Sequence, residues 1–248
     1  MQSVDRALEI LEHLAHHGEV GVTDIAGHLG VHKSTAFRLL GALQARGLVE
    51  QPGDRMKYRL GTGLVRLAGA VPVQRDVVGA SRRACEELAE RFGVTVNVAV
   101  ADAGAAVNID QVRGGPWSAG HNWTGERTPL HATSSGKVLM AFDDALATAA
   151  VRQGLTRYTA ATCTTREGLD RELTAVRADG LATTREELEL GLVAVAAPVR
   201  NREGAVVAAI SAAGSVSRLD AERLTDLGKA VVEAADTASE QLGWHPAR

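Results

Sequence analysis

Apolar residues recur at helical spacing in the first stretches of the chain. The range 4–16 predicts an amphipathic helix, and the range 22–30 predicts a second, shorter one. Thr23 is placed to cap the free amides at the start of the second helix, and Gly30 is placed to end it in the left-handed conformation. The apolar side of the first helix is expected to complete a small core, and it comprises Val4, Ala7, Leu8, Leu11, Leu14 and Ala15.

A third helix is predicted over residues 31–46, and its two faces differ in chemistry. Lys33, Thr35 and Arg38 share the polar face, while aliphatic residues recur every three to four positions on the other. A helix of this kind packs by one side and leaves a basic side free. The inward residues are expected to be Ala36, Leu39, Leu40 and Leu43.

A hairpin is predicted directly after the third helix. Its strands are expected at 48–51 and 57–60, and the turn between them begins with Pro52 and Gly53. Helix, turn, helix and hairpin in this order are typical of a winged helix-turn-helix, which places one helix in the DNA major groove. The residues expected to contact operator DNA are Lys33, Ser34, Thr35 and Arg38 on the helix, with Arg55 and Lys57 on the wing.

The remaining two thirds of the chain mix alternating strand patterns with helical ones. Strand pairs separated by short polar turns indicate hairpins, and helices flanking such strands indicate an α+β domain with an antiparallel sheet. The strands are expected at 94–100, 107–110, 192–199 and 205–213, and the helices at 77–92, at 167–178 and from Asp220 onward.

A short connecting segment separates the two parts. We predict a linker helix at 64–68, which Pro72 is expected to end, and a hinge at Gly61 and Gly63. The predicted organisation is a winged helix-turn-helix domain at 1–60, a linker at 61–75 and a second domain at 76–248.

Composition narrows the class of protein. No apolar run approaches the roughly 20 residues that a membrane-spanning helix needs, and no signal peptide opens the sequence, so a cytoplasmic protein is expected. Cys85 and Cys163 lie far apart, which argues against a disulfide framework and a structural zinc site. No metal, cofactor or catalytic residue is predicted.

Charge supports DNA binding locally but not globally. The formal net charge is −3, which gives no indication of a nucleic-acid partner. Residues 32–66, however, carry seven Lys and Arg residues against Glu50 and Asp54. This basic stretch coincides with the third helix and the wing, where phosphates would lie.

Three segments together resemble the IclR family of bacterial transcriptional regulators. The first is Ser3-Val4-Asp5-Arg6-Ala7-Leu8-Glu9-Ile10-Leu11. The second is Lys33-Ser34-Thr35 with Arg38-Leu39-Leu40 and Arg46-Gly47-Leu48-Val49. The third is Pro129-Leu130-His131-Ala132-Thr133-Ser134-Ser135-Gly136-Lys137, followed later by Gly191, Ala196-Ala197-Pro198-Val199 and Gly204.

The resemblance implies a GAF-like effector-binding domain joined to the winged helix, in a homodimer or tetramer that represses or activates transcription. In similar proteins a small-molecule effector lies beside the positions of Ser134 and Ser135, the strand from Leu192 and the strand around Ser211. Thr184, Ala194 and Ala213 occupy positions where some relatives carry an acid, a cysteine and a serine. These replacements favour a more apolar effector than a small oxo-acid, with Trp117 and Trp123 enclosing it.

Other functions are less well supported by the residues. Ser134 or Ser135 could instead cap a helix that begins at Gly136. The Gly136-Lys137 pair lacks the remaining residues of a phosphate-binding loop, and no G-x-S-x-G nucleophile motif occurs. His131 is more simply a packing or hydrogen-bonding residue than a catalytic base. His13 and His17, one helical turn apart, suggest a metal sensor, but no acid or cysteine completes the ligand set.

Overall fold

A computed structural model of the protein describes residues 2–53, 56–70, 72–115 and 122–245, with the side chains of residues 72–75 omitted. Arg55 and Trp117, which we expected at the wing and at the effector site, lie outside the described residues. The chain divides into two compact units, Met1–Pro72 and Val73–Arg248. No helix in the described ranges is long and apolar enough to cross a membrane.

The first unit is a winged helix-turn-helix. A three-stranded antiparallel sheet in the order β1-β3-β2 backs its helices. The fold is as predicted, except that the sheet gains an unpredicted first strand. The elements are α1 (Gln2–His17), β1 (Val20–Gly21), α2 (Val22–His28), α3 (Lys33–Gln44), β2 (Val49–Glu50), β3 (Lys57–Leu60) and α4 (Gly63–Ala68).

Two details of this unit differ from the predictions. The buried side of α1 is centred on Ile10 and Leu14, while Val4 and Leu8 are 65% and 54% exposed. The apolar side of α1 is therefore wider than the core can cover. Residues four apart are offset around the axis of a helix with 3.6 residues per turn, so the outer members of the series point away from the core. Thr23 does not cap α2 but lies inside its first turn, since the N-cap residue is Gly21, two positions earlier.

The second unit is an α+β domain, as predicted. Its six-stranded antiparallel sheet has the order β6-β5-β4-β9-β8-β7. The elements are α5 (Pro72–Phe92), β4 (Thr95–Asp102), β5 (Ala105–Arg113), β6 (Arg127–Thr128), α6 (Ser134–Ala141), α7 (Asp144–Gln153), α8 (Arg166–Asp179), β7 (Ala182–Arg185), β8 (Leu192–Arg200), β9 (Val206–Ser215) and α9 (Ala221–Gln241).

The prediction for Pro72 was wrong. Pro72 is the first residue of α5 rather than the end of the linker helix. Proline is favoured at this position, because the first amide of a helix has no intrahelical partner and its φ is already helical. The edge strands β6 and β7 and the helix α7 carry weak sequence patterns and were not predicted.

The sheet of the second unit has two differently used faces. Alternate residues such as Val98, Val195 and Ile210 pack with α5 and α9 in the larger core cluster. The residues between them, Ala196 and Ala209, belong to a second cluster with α6 and α8. Because successive side chains of a strand point to opposite faces, the register of the strands decides which residues meet beside α6.

Candidate functional site

The first candidate surface is the polar face of α3. Lys33, Ser34 and Arg38 are exposed and Thr35 is half-buried, while Ala36 and Leu40 are buried in the core of the first unit. The helix is held at its start by the His32 ring, whose Nδ1 accepts the Ser34 amide at 3.4 Å and lies 2.9 Å from the Ser34 hydroxyl. The N-terminal turn of α3 is thus fixed and open to solvent.

The wing contributes a second set of cations. Lys57 is exposed on β3, and no ion pair involves it in the described ranges. Arg59, two residues on, is held by Glu50 at 2.8 Å and lies 3.6 Å from Glu19. Lys57 is therefore the described wing cation whose charge is free to meet a phosphate, whereas Arg59 supports the wing itself.

The second candidate site lies in the second unit, where strand register brings small and polar residues together. Thr184 pairs with Ala194, and Ala194 pairs with Ala213 on the next strand. Ser211 pairs with Asn97 in the neighbouring rung. All five lie on the α6 face of the sheet. Alanines at two of these positions leave room between the sheet and α6.

The start of α6 forms the opposite wall. Thr133 caps the helix, since its hydroxyl accepts the Gly136 amide at 3.2 Å and donates to the Pro129 carbonyl at 2.8 Å. The alternative prediction that Ser134 or Ser135 is the cap was wrong. Both serines are instead buried inside the first turn of α6, which begins at Ser134 rather than at Gly136.

These walls border a small, partly open cavity of about 70 Å³, which we call the inner cavity. The structure brings all seven residues expected to contact an effector into its lining. Those residues are Ser134, Ser135, Thr184, Leu192, Ala194, Ser211 and Ala213, and they are joined by Asn97, Asn108, Trp123, Thr128, Ala132, Thr133, Glu187 and Leu188.

Three uncharged polar strand residues of this lining, Asn97, Asn108 and Thr128, were missed from the sequence, and so was the charged Glu187. Asn97 lies in a strand between Val96 and Val98. An amide in such an apolar strand could have revealed the site, because a buried amide needs a polar partner. The side-chain Oδ1 of Asn97 has no hydrogen-bond partner among the described residues, and the residue is 6% exposed. Asn108 and Thr128, on β5 and beside it on β6, are also buried.

A buried charge cluster lies behind the inner cavity. Lys137 is 2% exposed, and its Nζ donates to both carboxylate oxygens of Glu187 at 2.6 and 2.7 Å. Glu172 on α8 lies 2.9 Å from the same nitrogen. Burial nevertheless raises the pKa of Glu187 above its usual value, because desolvation outweighs the attraction of Lys137.

The loop that carries Glu187 is firmly tied. The hydroxyls of Thr159 and Thr162 donate to the carbonyls of Glu186 and Glu187, each at 2.6 Å. The carboxylate of Glu186 accepts the Gly191 amide at 2.8 Å, although Glu186 itself has a φ of +57°. Hydrogen bonds thus hold the loop in a conformation that includes an unfavourable backbone angle, which is typical of segments at functional sites.

The remaining candidate groups take part in local packing. The His131 Nε2 lies 2.8 Å from the Thr156 carbonyl oxygen, and the ring does not line the inner cavity. The rings of His17 and His28 lie 4.2 and 4.1 Å from that of His13. No group of three or more potential ligands within the described ranges has a geometry that could hold a metal ion. Burial raises the pKa of the Cys85 thiol to about 12.

Two family models match the chain. Residues 3–53 match the IclR helix-turn-helix domain, and residues 70–240 match the C-terminal domain of the bacterial transcriptional regulator IclR. Together they cover most of the sequence, including the polar face of α3 and the lining of the inner cavity.

Individual relatives agree with the models along the whole chain. The HTH-type transcriptional regulator XynR of Escherichia coli (strain K12) is 35% identical, over 98% of each chain. The transcriptional repressor IclR of the same organism is 32% identical, over 98% of this chain and 90% of the relative. These proteins are named as regulators of transcription rather than as enzymes.

A solved structure has the same fold. It is an IclR homolog from Microbacterium hydrocarbonoxydans in complex with 4-hydroxybenzoate, and it matches with a TM-score of 0.83 over 97% of this chain and 98% of that one. Its sequence is 24% identical, so the likeness concerns the fold.

Proposed function

The chain belongs to the IclR family of bacterial transcriptional regulators, and we propose that it contacts its operator with the polar face of α3 and the wing. The N-terminal residues of such a helix meet base edges, which suits Lys33, Ser34, Thr35 and Arg38. Lys57 and Arg55 on the wing meet phosphates or the minor groove. Since its operator is bacterial DNA, the protein acts in the cytoplasm.

The inner cavity is the site of a small-molecule effector that changes operator affinity. The convergence of all seven expected residues on one cavity is the observation that carries this proposal. The unpaired Oδ1 of Asn97 supports it, because a buried polar atom without a protein partner is costly unless a ligand or an ordered water satisfies it. The solved complex of an IclR homolog with 4-hydroxybenzoate supports an effector role in general, because a protein of this fold binds a small organic acid.

Bulky side chains in the inner cavity are expected to weaken the effect of the ligand on operator affinity. A thermal-shift screen of a metabolite library identifies a ligand, and fluorescence anisotropy measures operator affinity with and without it. Ser135→Leu and Ser211→Leu place bulk in the cavity, so we expect unchanged operator binding and at least a tenfold weaker response to the ligand. The control is Thr225→Leu on the exposed side of α9. A wild-type response in both cavity variants would move the effector site elsewhere.

The protein works as a homodimer or tetramer. One winged helix makes too few contacts for useful specificity, whereas two copies can occupy half-sites spaced by whole turns of DNA. Apolar side chains without a described partner surface support this, since Val4 and Leu8 of α1 and Val65 and Leu67 of α4 are all more than half exposed.

Charges placed at these exposed apolar positions are expected to weaken assembly. We expect Leu8→Glu with Val65→Glu to shift the protein toward monomer in multi-angle light scattering, since like charges would face each other across a symmetric contact. Thr225→Glu, an exposed change on α9, serves as the control. A wild-type mass for the double variant, or a monomeric wild type with operator present, would contradict the proposal.

A further inference from the structure

A second, larger cavity lies beside the inner one. This outer cavity has a volume of about 520 Å³ and shares Trp123, Leu192 and Ala213 with the inner cavity. Pockets for small molecules usually measure roughly 300–1,000 Å³. The inner cavity, at about 70 Å³, holds only a few atoms. An effector of ordinary size that uses the inner cavity therefore needs further space, and the outer cavity, which shares three wall residues with it, is the space beside it.

The outer cavity combines apolar walls with positive charge. Phe92 and Leu219 line it, and so does Leu190, which is 75% exposed on the loop between β7 and β8. An exposed leucine at the rim of an apolar cavity is typical of a surface that a ligand covers.

The charged residues of the outer cavity are Arg218, Arg223 and Glu189. Within the described part of the chain, neither guanidinium is held in an ion pair. The backbone amide of Arg223 is bonded to Asp220, but that bond leaves its side chain free. The cavity thus has one net positive charge and two guanidinium groups available to an anion.

In contrast to the outer cavity, the described lining of the inner cavity offers a ligand no unpaired charged group. Glu187 is the ionisable residue of its lining, and both of its carboxylate oxygens already accept from Lys137. The lining offers amides and hydroxyls, and it includes the unpaired Asn97 Oδ1, which needs a donor. A neutral group with an N–H or O–H, such as a hydroxyl or an amide, fits this end.

We propose that the effector is an elongated organic anion that spans both cavities. Its neutral hydrogen-bonding end lies in the inner cavity, its apolar or aromatic body passes Trp123, and its anionic group meets Arg218 and Arg223. This inference rests on the proposed effector role of the inner cavity and assigns the chemistry of the ligand.

A matched pair of dyes tests the outer cavity directly. Anilinonaphthalene sulfonate and the uncharged phenylnaphthylamine share one aromatic skeleton and differ by the sulfonate, and both fluoresce on entering an apolar site. We expect the anionic dye to bind the full-length protein at least tenfold more tightly, because charge-assisted contacts to the arginines add to the apolar burial. Arg218→Gln with Arg223→Gln should abolish this preference while the neutral dye still binds.

Three variants locate the dyes. Arg171→Gln, an exposed arginine on α8, should leave the preference unchanged. Ala213→Phe, in the shared wall, should weaken both dyes, whereas Ala194→Leu, in the inner cavity alone, should weaken neither. Equal affinities of the two dyes, failure of both to bind, or a preference that survives the double arginine substitution would overturn the proposal.

The outcome is separable from that of the proposed function. Operator binding by the ligand-free protein does not require Arg218 or Arg223, which lie in the second unit. An arginine-dependent dye preference in a protein that binds no operator would overturn the proposed DNA contacts and leave the outer anion site standing. Operator binding without any dye preference would overturn the outer anion site and leave the proposed DNA contacts standing.

Discussion

Replacing Lys137 with methionine is expected to destabilise the second unit by about 3 kcal/mol or more, because the change leaves a buried carboxylate without its cation. Lys137 donates two short hydrogen bonds to Glu187 and faces Glu172 as well. Urea denaturation of the full chain, followed by tryptophan fluorescence, measures the loss. The probe is selective, since Trp117, Trp123 and Trp244 all lie beyond residue 73.

A double variant separates charge from packing. Lys137→Met with Glu187→Gln removes both charges, and it should recover most of the lost stability, since neutral replacement of a buried ion pair is often tolerated. Lys229→Met removes an exposed lysine that lies 3.6 Å from Asp226, and it should change little. Equal losses for the single and double variants would mean that Lys137 acts through packing alone.

The loss caused by Lys137→Met should also depend on pH. The pKa of Glu187 is already raised by burial, and removal of Lys137 raises it further. A carboxyl with a raised pKa in the folded state favours folding while it is protonated, and this contribution fades as pH rises through that pKa. The variant should therefore be closer to wild type at about pH 5 than at about pH 8. A pH-independent difference would contradict this.

The winged helix could be predicted because its signals are local. Gly30 has a φ of +61°, as its place after α2 requires, and the Pro-Gly turn joins β2 to β3. The spacing of apolar residues does not show how much of the apolar side of α1 is covered by the rest of the unit. The burial of Val4 and Leu8 was therefore predicted wrongly. Their exposure depends on the tertiary partners of α1, which the sequence pattern does not contain.

The hinge predicted at Gly61 and Gly63 stays a prediction, but the structure gives a further reason for the two glycines. Both amides donate to backbone carbonyls, of Leu48 and Gly47 respectively, each at 2.9 Å. A Cβ at Gly61 would come within 2.3 Å of the Gly47 oxygen, and one at Gly63 within 2.7 Å. Glycine is needed at both positions because two stretches of backbone approach closely, a contact between distant residues that spacing alone does not reveal.

The lining of the inner cavity was predicted in part, and its role as an effector site stays a prediction. The resemblance located the wall formed by α6, β8 and β9, because its motifs are contiguous in sequence. Asn108 and Thr128 come from strands that are joined to this wall only through the register of the sheet. The outer cavity depends on Phe92, Leu190 and Arg218, which are distant in sequence. The lining adds polar groups such as Asn108 and Thr128 to the alanines that led us to expect a more apolar effector, and that expectation stays a prediction.

Replacing Arg38 with alanine is expected to weaken operator binding by about 1–3 kcal/mol for each half-site, the usual value of a bidentate contact between arginine and guanine. Arg38 is exposed on the polar face of α3, and the buried residues Ala36 and Leu40 that hold the helix in the core are untouched. The protein should therefore remain folded, with unchanged circular dichroism. Fluorescence anisotropy with operator and with random DNA of equal length gives the affinities.

The comparison of the two DNAs decides the role of Arg38. Loss of a base contact lowers operator affinity more than random-DNA affinity, so the specificity ratio falls. Lys57→Ala, which removes a wing cation, should instead weaken both and reduce the salt slope by about 0.9 per lost phosphate contact. Arg171→Ala, outside the winged helix, should change neither. Unchanged operator affinity in Arg38→Ala would remove this face of α3 from the interface, because no other described arginine lies on it.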